Sequence, residues 1–129
     1  MATLAQLMTR EITTIQEEAT VQEAAQYMQA HHIGSLLVKK DESYSGIITE
    51  TDVVQAVAER GDVRDLTVQG IMSSPILSVE KKLSPHYARD LMADRRVRHL
   101  AVTEEGNIVG ILSVRDLLAY FKTISKGIE

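Results

Sequence analysis

The chain has 129 residues, of which 44% are apolar and 25% charged, a composition typical of a soluble globular domain. Its net charge of −4 and its 4% aromatic content argue against nucleic acid or an anionic membrane as a partner. Without cysteine there are no disulfides or thiolate ligands, and without a long apolar run or a basic-then-apolar leader we expect a cytoplasmic protein that does not span a membrane.

The first half of the chain predicts six elements in order. They are a lead-in helix at Ala5–Met8, a strand at Ile12–Ile15, a helix from Thr20 to His31 or His32 with Gly34 just beyond, a strand at Leu36–Val38 buried on both faces, a strand at Ser45–Thr49 after a polar turn, and a helix opened by Thr49. Thr20 with Glu23, and Thr49 with Asp52, form capping-box patterns that mark the helix starts. We expect the last helix to turn Val53, Val54 and Val57 inward.

The second half repeats the first with a shift of sixty-four residues and no gap. The identical pairs are Met8/Met72, Ile12/Ile76, Ala24/Ala88, Met28/Met92, Leu36/Leu100, Val38/Val102, Gly46/Gly110, Ile47/Ile111 and Asp52/Asp116. The repeated elements are a lead-in at Val68–Met72, a strand at Ile76–Val79, a helix capped by Ser84 with Pro85 first, a hairpin of Leu100–Thr103 with Ile108–Ser113, and a last helix carrying Leu117, Leu118 and Phe121. Such self-similarity indicates a duplicated structural unit.

The pattern divides the chain into residues 1–60, a charged linker at 61–66, and residues 67–129. Each copy reads short helix, strand, helix, strand, strand, helix, which predicts an α/β fold with a small sheet covered by helices. A unit of about 60 residues buries little surface alone. We therefore expect the two copies to pack as a pseudo-two-fold pair.

The pattern resembles the CBS-domain family, in which tandem repeats pair as a Bateman module. The resemblance lies in Gly46–Asp52 and Gly110–Asp116, each ending in Thr/Ser-x-x-Asp at the last strand-to-helix turn, in the lead-ins 7–9 and 71–73, and in Arg98–Val102. It covers residues 3–124 and implies a regulatory module that binds an adenosine nucleotide between its repeats. AMP, ADP and ATP are the expected ligands, with NAD or S-adenosylmethionine as further candidates, and flat homodimers are common among similar proteins.

The resemblance also implies two sets of ligand-binding residues, each mixing the repeats. The first set is Thr14 and Ile33 with Ser113, Arg115 and Asp116; the second is Ser78, Val97, Arg98 and His99 with Thr49 and Asp52. A carboxylate can accept hydrogen bonds from both ribose hydroxyls, and a helix N-terminus attracts phosphate. Ile33 and Val97 are the expected apolar contacts of adenine.

The two sets are not equivalent. Arg115 precedes the ribose aspartate in one and Thr51 in the other, and Arg98-His99 matches Gly34-Ser35. Because similar proteins often carry Arg or Lys before the aspartate, phosphate neutralisation is expected to differ between the clefts.

Other interpretations of these residues remain open. The Thr/Ser-x-x-Asp turns also serve as plain helix caps, and the arginines near residue 96 also suit a helix C-terminus. His31, His32 and His86 are expected at the surface, and no cluster with metal-ligand spacing is present. Without a nucleophile elbow, P-loop or dinucleotide fingerprint, we expect no catalysis and no required cofactor. The alternative function is a structural protein-interaction module whose clefts do not bind nucleotide.

Overall fold

Each half of the chain builds the same three-stranded sheet. The computed structural model describes residues 1–126. The strands are β1 (Thr14–Gln16), β2 (Ser35–Lys40) and β3 (Ser43–Thr49), then β4 (Ser78–Glu80), β5 (His99–Glu104) and β6 (Asn107–Ser113). In each sheet the first strand runs parallel to the second, and the second pairs antiparallel with the third. The strand order is therefore β1-β2-β3 and β4-β5-β6, which confirms the predicted α/β class.

Six helices accompany the strands, as the repeat predicts. They are α1 (Leu4–Leu7), α2 (Val21–His31), α3 (Glu50–Arg60), α4 (Val68–Ile71), α5 (Pro85–Arg95) and α6 (Val114–Ser125). The predicted caps are present: the Thr20 and Ser84 side chains accept hydrogen bonds from the backbone N–H groups of Glu23 (3.0 Å) and Tyr87 (3.2 Å). Each cap satisfies a backbone N–H that the first helical turn leaves without a partner.

Helix α2 ends at His31, as predicted. Gly34 was expected just beyond this end, but the left-handed residue that closes the helix is His32 (φ 54°), and Arg96 (φ 55°) takes the same position after α5. Their backbone N–H groups bond back to the last turn of the helix. These bonds satisfy carbonyls at the helix end and hold a non-glycine residue in a conformation that normally favours glycine.

The chain forms two compact units that do not follow the sequence repeats. The continuous unit is Thr13–Ile76, and the composite unit joins Met1–Ile12 to the chain from Leu77 onward. Each sheet is therefore completed by the lead-in helix of the other repeat: α4 packs with β3 and α3, and α1 packs with β6 and α6. The predicted boundaries at 60/61 and 66/67 describe the duplication, whereas the units divide the chain at 12/13 and 76/77.

The core of the continuous unit lies between the helices and one sheet face. Its buried residues are Ala24, Met28, Leu36, Val38, Ile48 and Val68. Leu37, between Leu36 and Val38, is also buried at 1% exposure, so the prediction of a strand buried on both faces is confirmed. Val68 is fully buried, so the four-residue α4 is held by packing and does not depend on intrinsic helix stability.

The composite unit repeats this core. Its buried residues are Leu4, Met8, Val79, Ala88, Met92, Leu100, Val102, Leu112 and Leu117. Leu4 and Met8 come from the first twelve residues of the chain, and Thr9 exchanges two backbone hydrogen bonds with Ile111 (2.8 and 3.0 Å). The N-terminal segment is therefore part of a hydrophobic core formed mainly by the second half of the sequence.

The repeated glycines Gly46 and Gly110 allow the lead-in methionines to approach the sheet. A Cβ at Gly46 would lie 2.6 Å from Met72 Sδ and 2.8 Å from the Ser73 carbonyl oxygen, and one at Gly110 would lie 2.5 Å from Met8 Sδ. All three distances are shorter than any normal contact of a Cβ atom. The glycines are needed for close approach of the neighbouring segment.

Two residues of α3 that were expected to face inward are exposed: Val54 at 67% and Val57 at 46%. On α6, Leu118 is also exposed, at 64%. Among the residues of these two helices, only Ala56 on α3 and Leu117 on α6 are buried, because just one narrow side of each helix meets its own core. Helix α3 ends at Arg60, directly before the charged linker.

Candidate functional site

The turn between β3 and α3 is a complete capping box. The Asp52 Oδ2 atom accepts hydrogen bonds from the Thr49 backbone N–H (2.8 Å) and hydroxyl (3.1 Å). The Thr49 hydroxyl oxygen in turn accepts the Asp52 backbone N–H at 3.3 Å. This reciprocal arrangement follows from a hydroxyl residue at the N-cap and an acid three residues later, so the sequence-based capping interpretation is confirmed here.

The turn between β6 and α6 has the same geometry. Asp116 Oδ2 accepts the Ser113 backbone N–H at 2.8 Å and the Ser113 hydroxyl at 3.1 Å. The Asp116 backbone N–H donates to the Ser113 hydroxyl oxygen at 3.3 Å. Two aspartates at equivalent positions of the duplication are thus held in the same orientation by the same three bonds.

Both aspartates keep hydrogen-bonding capacity beyond the cap. The cap uses Oδ2, and among residues 1–126 no hydrogen bond joins the Oδ1 atom of Asp52 or Asp116 to another group. Both residues are half-buried. An ionised carboxylate offers about four acceptor positions, so helix capping and acceptance of hydrogen bonds from a ligand hydroxyl are chemically compatible at these turns.

A second loop lies beside each capped turn within its own unit. The Gly34 carbonyl oxygen accepts the Glu50 backbone N–H at 3.1 Å, and the Arg98 carbonyl oxygen accepts the Val114 backbone N–H at 2.8 Å. These bonds bring the start of the central strand next to the N-terminus of the following helix. Sequence analysis did not foresee these contacts, because a backbone carbonyl leaves no signature in side-chain identity.

The composite unit therefore places its predicted phosphate-binding residues close together. His99 pairs directly with Ser113 across β5 and β6, and the segments carrying Arg98 and Arg115 are linked through the Arg98 carbonyl. Both arginine side chains are exposed. In the continuous unit Ser35 pairs with Thr49, and no arginine or lysine occupies either matching position.

The remaining predicted residues lie at strand starts and at the edge of each core. Ile33 and Val97 are half-buried and pack against the core of their own unit. Thr14 and Ser78 were expected near the ends of their strands, but they begin β1 and β4. Strand pairing begins there because the preceding residues up to Ile12 and Ile76 belong to the other compact unit.

The two predicted ligand sets combine residues of both units. Thr14, Ile33, Thr49 and Asp52 belong to the continuous unit; Ser78, Val97, Arg98, His99, Ser113, Arg115 and Asp116 belong to the composite unit. Within one unit, each aspartate turn lies beside the loop of its own repeat. The mixed sets remain a prediction.

Other kinds of site find no support among the described residues. Residues 1–126 contain no group of three or more histidines and acids placed to hold a metal ion. His31, His32 and His86 are exposed as predicted; His31 stacks on Tyr27 and His86 lies edge-on to Phe121. None of the helices within residues 1–126 is both long and apolar enough to cross a bilayer.

Curated relatives match nearly the whole chain. The CBS-domain protein YhcV of Bacillus subtilis is 29% identical over 117 residues, which cover 91% of this chain and 84% of that protein. An inosine-5′-monophosphate dehydrogenase of Korarchaeum cryptofilum is 32% identical over 109 residues, 84% of this chain but only 22% of the enzyme. The similarity to that enzyme is thus confined to a small part of a larger protein.

Solved structures share the fold. A protein with CBS domains from Burkholderia ambifaria, provisionally described as acting in signal transduction, is 30% identical with a TM-score of 0.88 over 93% of both chains. A hexameric CBS-CP12 protein from bloom-forming cyanobacteria is 31% identical with a TM-score of 0.86, covering 100% of this chain and 76% of that one. The CBS-domain pair of MJ0100, in complex with 5′-methylthioadenosine and S-adenosyl-L-methionine, is 19% identical with a TM-score of 0.84 over 95% and 98% of the chains.

The family model itself matches twice in tandem. The model described as the CBS domain covers residues 4–59 and again residues 63–123. Both matches include a capped aspartate turn and the loop beside it. This chain, with its two sheets and duplicated Thr/Ser-x-x-Asp turns, belongs to the CBS-domain family and is a tandem pair of CBS repeats of regulatory type.

Proposed function

We propose that this protein is a regulatory module that binds an adenosine nucleotide, AMP, ADP or ATP, and transmits the bound state through its homodimer or to a partner protein. The observation that carries the proposal is the pair of aspartates, Asp52 and Asp116, each of which holds its Oδ2 atom in a helix cap and, within residues 1–126, leaves Oδ1 outside that cap. NAD and S-adenosylmethionine contain the same adenosine group and belong to the same proposal.

The chemistry of the turns suits a ribose followed by a phosphate. Two adjacent ribose hydroxyls can donate to one carboxylate, and the N-termini of α3 and α6 offer backbone N–H groups and a positive dipole end for phosphate oxygens. In the proposed first set, Thr14 and Ile33 join Ser113, Arg115 and Asp116. In the second, Ser78, Val97, Arg98 and His99 join Thr49 and Asp52.

The two sets are proposed to bind phosphate with different strength. Arg115 stands beside Asp116, whereas Thr51 stands beside Asp52. A guanidinium forms paired charge-assisted hydrogen bonds with phosphate that a threonine cannot form. We therefore propose the set containing Asp116 as the tighter site for ligands with more than one phosphate.

Regulation would follow from differential affinity. A bound nucleotide shifts the protein toward one conformation or assembly only as far as it binds that state more tightly. Neither a catalytic step nor a required cofactor is proposed: the enzyme discussed above matches this chain over 22% of its own length, so its chemistry is not transferred. Nucleic acid and membranes are not proposed as partners, and the proposed location is the cytoplasm.

A ligand screen tests the proposal directly. Thermal unfolding is measured with AMP, ADP, ATP, NAD and S-adenosylmethionine, with guanosine and cytidine nucleotides as controls. A ligand at 100 times its dissociation constant should stabilise the protein by about 2.7 kcal/mol. Absence of a shift with every adenosine compound, confirmed by calorimetric titration, would overturn the proposal.

Matched variants separate ligand binding from helix capping. Asp116→Ala and Asp52→Ala remove a proposed ribose acceptor and also weaken a cap. Ser84→Ala removes a cap on α5 that belongs to neither ligand set, at a cost of about 1 kcal/mol. We expect the aspartate variants to lose affinity at least about tenfold and Ser84→Ala to keep it; equal affinity in all three would remove both aspartates from the site.

The second candidate function is a protein-interaction module without nucleotide binding. The exposed apolar residues Val54, Val57 and Leu118 favour it, since large apolar side chains left exposed on a helix are typical of contact surfaces. This candidate predicts stable association and no response to any nucleotide. The ligand screen and a sedimentation measurement on the same protein therefore distinguish the two functions.

A further inference from the structure

An open groove lies between α2 and α3 in the continuous unit. Its volume is about 590 Å³. It is lined by Val21, Gln22, Ala25, Val53, Val57, Gly61, Asp62, Val63 and Arg64. Asp62 and Arg64 form an ion pair with each other at 2.8 Å, and Arg64 thereby lowers the pKa of Asp62. The rest of the lining is largely apolar, so the groove is suited to an apolar side chain.

The composite unit fills the matching place with its own side chain. Phe121 stands where the continuous unit has Val57. The Phe121 ring lies 5.1 Å from the His86 ring and 5.3 Å from the Arg89 guanidinium carbon. The duplication thus leaves the groove of the continuous unit without the large apolar group that occupies its counterpart, and Val57 remains 46% exposed.

The two units also carry opposite net charge. The continuous unit, Thr13–Ile76, has ten acids and four Lys or Arg residues, and the composite unit has eight acids and ten. The exposed charges on α2 and α3 are three acids and one base: Glu23, Glu50, Glu59 and Arg60. The exposed charges on α5 and α6 are four bases and two acids: Arg89, Arg95, Arg115, Lys122, Asp90 and Asp94. Two α2–α3 pairs, or two α5–α6 pairs, therefore repel each other, whereas an α2–α3 pair attracts an α5–α6 pair.

Helix α6 presents an apolar residue flanked by bases. Leu118 is 64% exposed. Arg115 and Lys122 are three residues before and four residues after it, and helical spacing places all three on one face. This face offers an apolar side chain to an apolar groove, and its bases carry the opposite charge to the acidic helices α2 and α3 that border the groove.

We infer that two copies of this chain dock in an unlike arrangement, in which helices α5 and α6 of one copy meet helices α2 and α3 of the other. In this arrangement Leu118 on α6 of one copy enters the groove between α2 and α3 of its partner. In a two-fold pair each contact is repeated in the opposite direction, so the same docking occurs twice. The inference rests on the homodimer proposed above, and it does not depend on nucleotide binding.

Disulfide cross-linking tests which helices meet, since the chain has no cysteine. Val54→Cys and Leu118→Cys change exposed residues of α3 and α6, and Glu42→Cys, on a residue whose side chain is 99% exposed, is the control. Each variant is oxidised alone and in every pairwise mixture, after time for subunit exchange. We expect cross-linked dimer only where Val54→Cys and Leu118→Cys are mixed; efficient cross-linking of either variant alone would overturn the unlike arrangement.

A filled groove provides an independent test. Val57→Phe places in the groove the side chain that the composite unit already has there. We expect the folded variant to self-associate at least about tenfold more weakly, as measured by sedimentation, while Val54→Ala changes association less. Unchanged association of Val57→Phe, or a wild-type protein that stays monomeric, would overturn the inference, and nucleotide titration of the same samples reports separately on the proposed function.

Discussion

Gly110 provides a sharp test of how the N-terminal segment is held in the composite unit. Replacement by alanine adds a single methyl group on β6. That group would lie 2.5 Å from Met8 Sδ, 2.9 Å from Met8 Cγ and 3.0 Å from the Thr9 carbonyl oxygen. The sulfur and the backbone must both move, because ordinary van der Waals contact begins near 3.4 Å.

The expected cost follows from overpacking of a fixed site. Adding a methyl group to a packed core costs about 1–3 kcal/mol. Here the upper part of that range is expected, because Thr9 is held by two backbone hydrogen bonds to Ile111 and cannot retreat without weakening them. For a chain of this length, each kcal/mol lowers the melting temperature by about 2–8 °C.

Gly70→Ala serves as the matched control. Its new methyl group would meet only Thr67 Oγ1 at 3.8 Å, and alanine is favoured over glycine in a helix by up to about 1 kcal/mol. Urea unfolding of both variants should show Gly110→Ala destabilised and Gly70→Ala unchanged or stabilised. A Gly110→Ala protein as stable as wild type would refute the close approach of Met8 to β6.

A double-mutant cycle identifies the colliding group. Met8→Ala creates a void and alone should cost about 2–5 kcal/mol. In the protein that carries both changes, the alanine methyl at position 110 occupies part of the void, so the two costs should fall short of their sum by at least about 0.5 kcal/mol. Strict additivity would indicate that the backbone contact, and not Met8, limits residue 110.

Three further perturbations follow from other contacts. Lys81 donates two hydrogen bonds to Glu104 (2.8 and 2.7 Å) and lowers the Glu104 pKa. The stabilisation is therefore present above the ordinary glutamate pKa and is lost as the pH falls through the lowered pKa. In a series of unfolding measurements against pH, Glu104→Gln should flatten this loss of stability in acid. Phe121→Ala should cost about 2 kcal/mol and Val57→Ala under about 1 kcal/mol, measured by urea unfolding, because only Phe121 fills the space between its helices. Leu4→Ala should cost about 2–5 kcal/mol despite its position near the chain start, since Leu4 is fully buried.

Each of these expectations has a result that contradicts it. An identical loss of stability in acid for wild type and Glu104→Gln would show that the ion pair does not affect folding. Equal losses of unfolding free energy in Phe121→Ala and Val57→Ala would show that Phe121 does not fill the space between its helices. A harmless Leu4→Ala would mean that the N-terminal helix lies outside the core.

The duplication made most local structure predictable. Thr20, Ser84, Thr49 and Ser113 are helix caps in the structure as in the sequence pattern, because capping depends on residues only three positions apart. Burial was predicted less well. Val54 and Val57 were expected to face inward but are exposed, and periodicity alone could not tell that the core contacts only one side of α3.

Long-range features were the least predictable. Nothing local to Leu4 indicates that it packs with Leu100 and not with Leu36, since both strands present the same pattern. At the candidate site the aspartates were identified from sequence, but the use of Oδ2 in the cap is evident only from the structure. The groove has a signal in the sequence as well, because Val57 aligns with the larger Phe121 in the repeat.

The composition of the composite unit has a consequence for the order in which this chain folds during synthesis. Thr13–Ile76 is one continuous segment and can complete its core as soon as it has left the ribosome. Residues 1–12 must wait for the strands that follow Leu77, and closing that long connection carries an entropic cost that grows only slowly with length. We therefore expect hydrogen exchange during refolding to protect β2 before Leu4 and Met8, so that a segment made before the continuous unit becomes ordered after it.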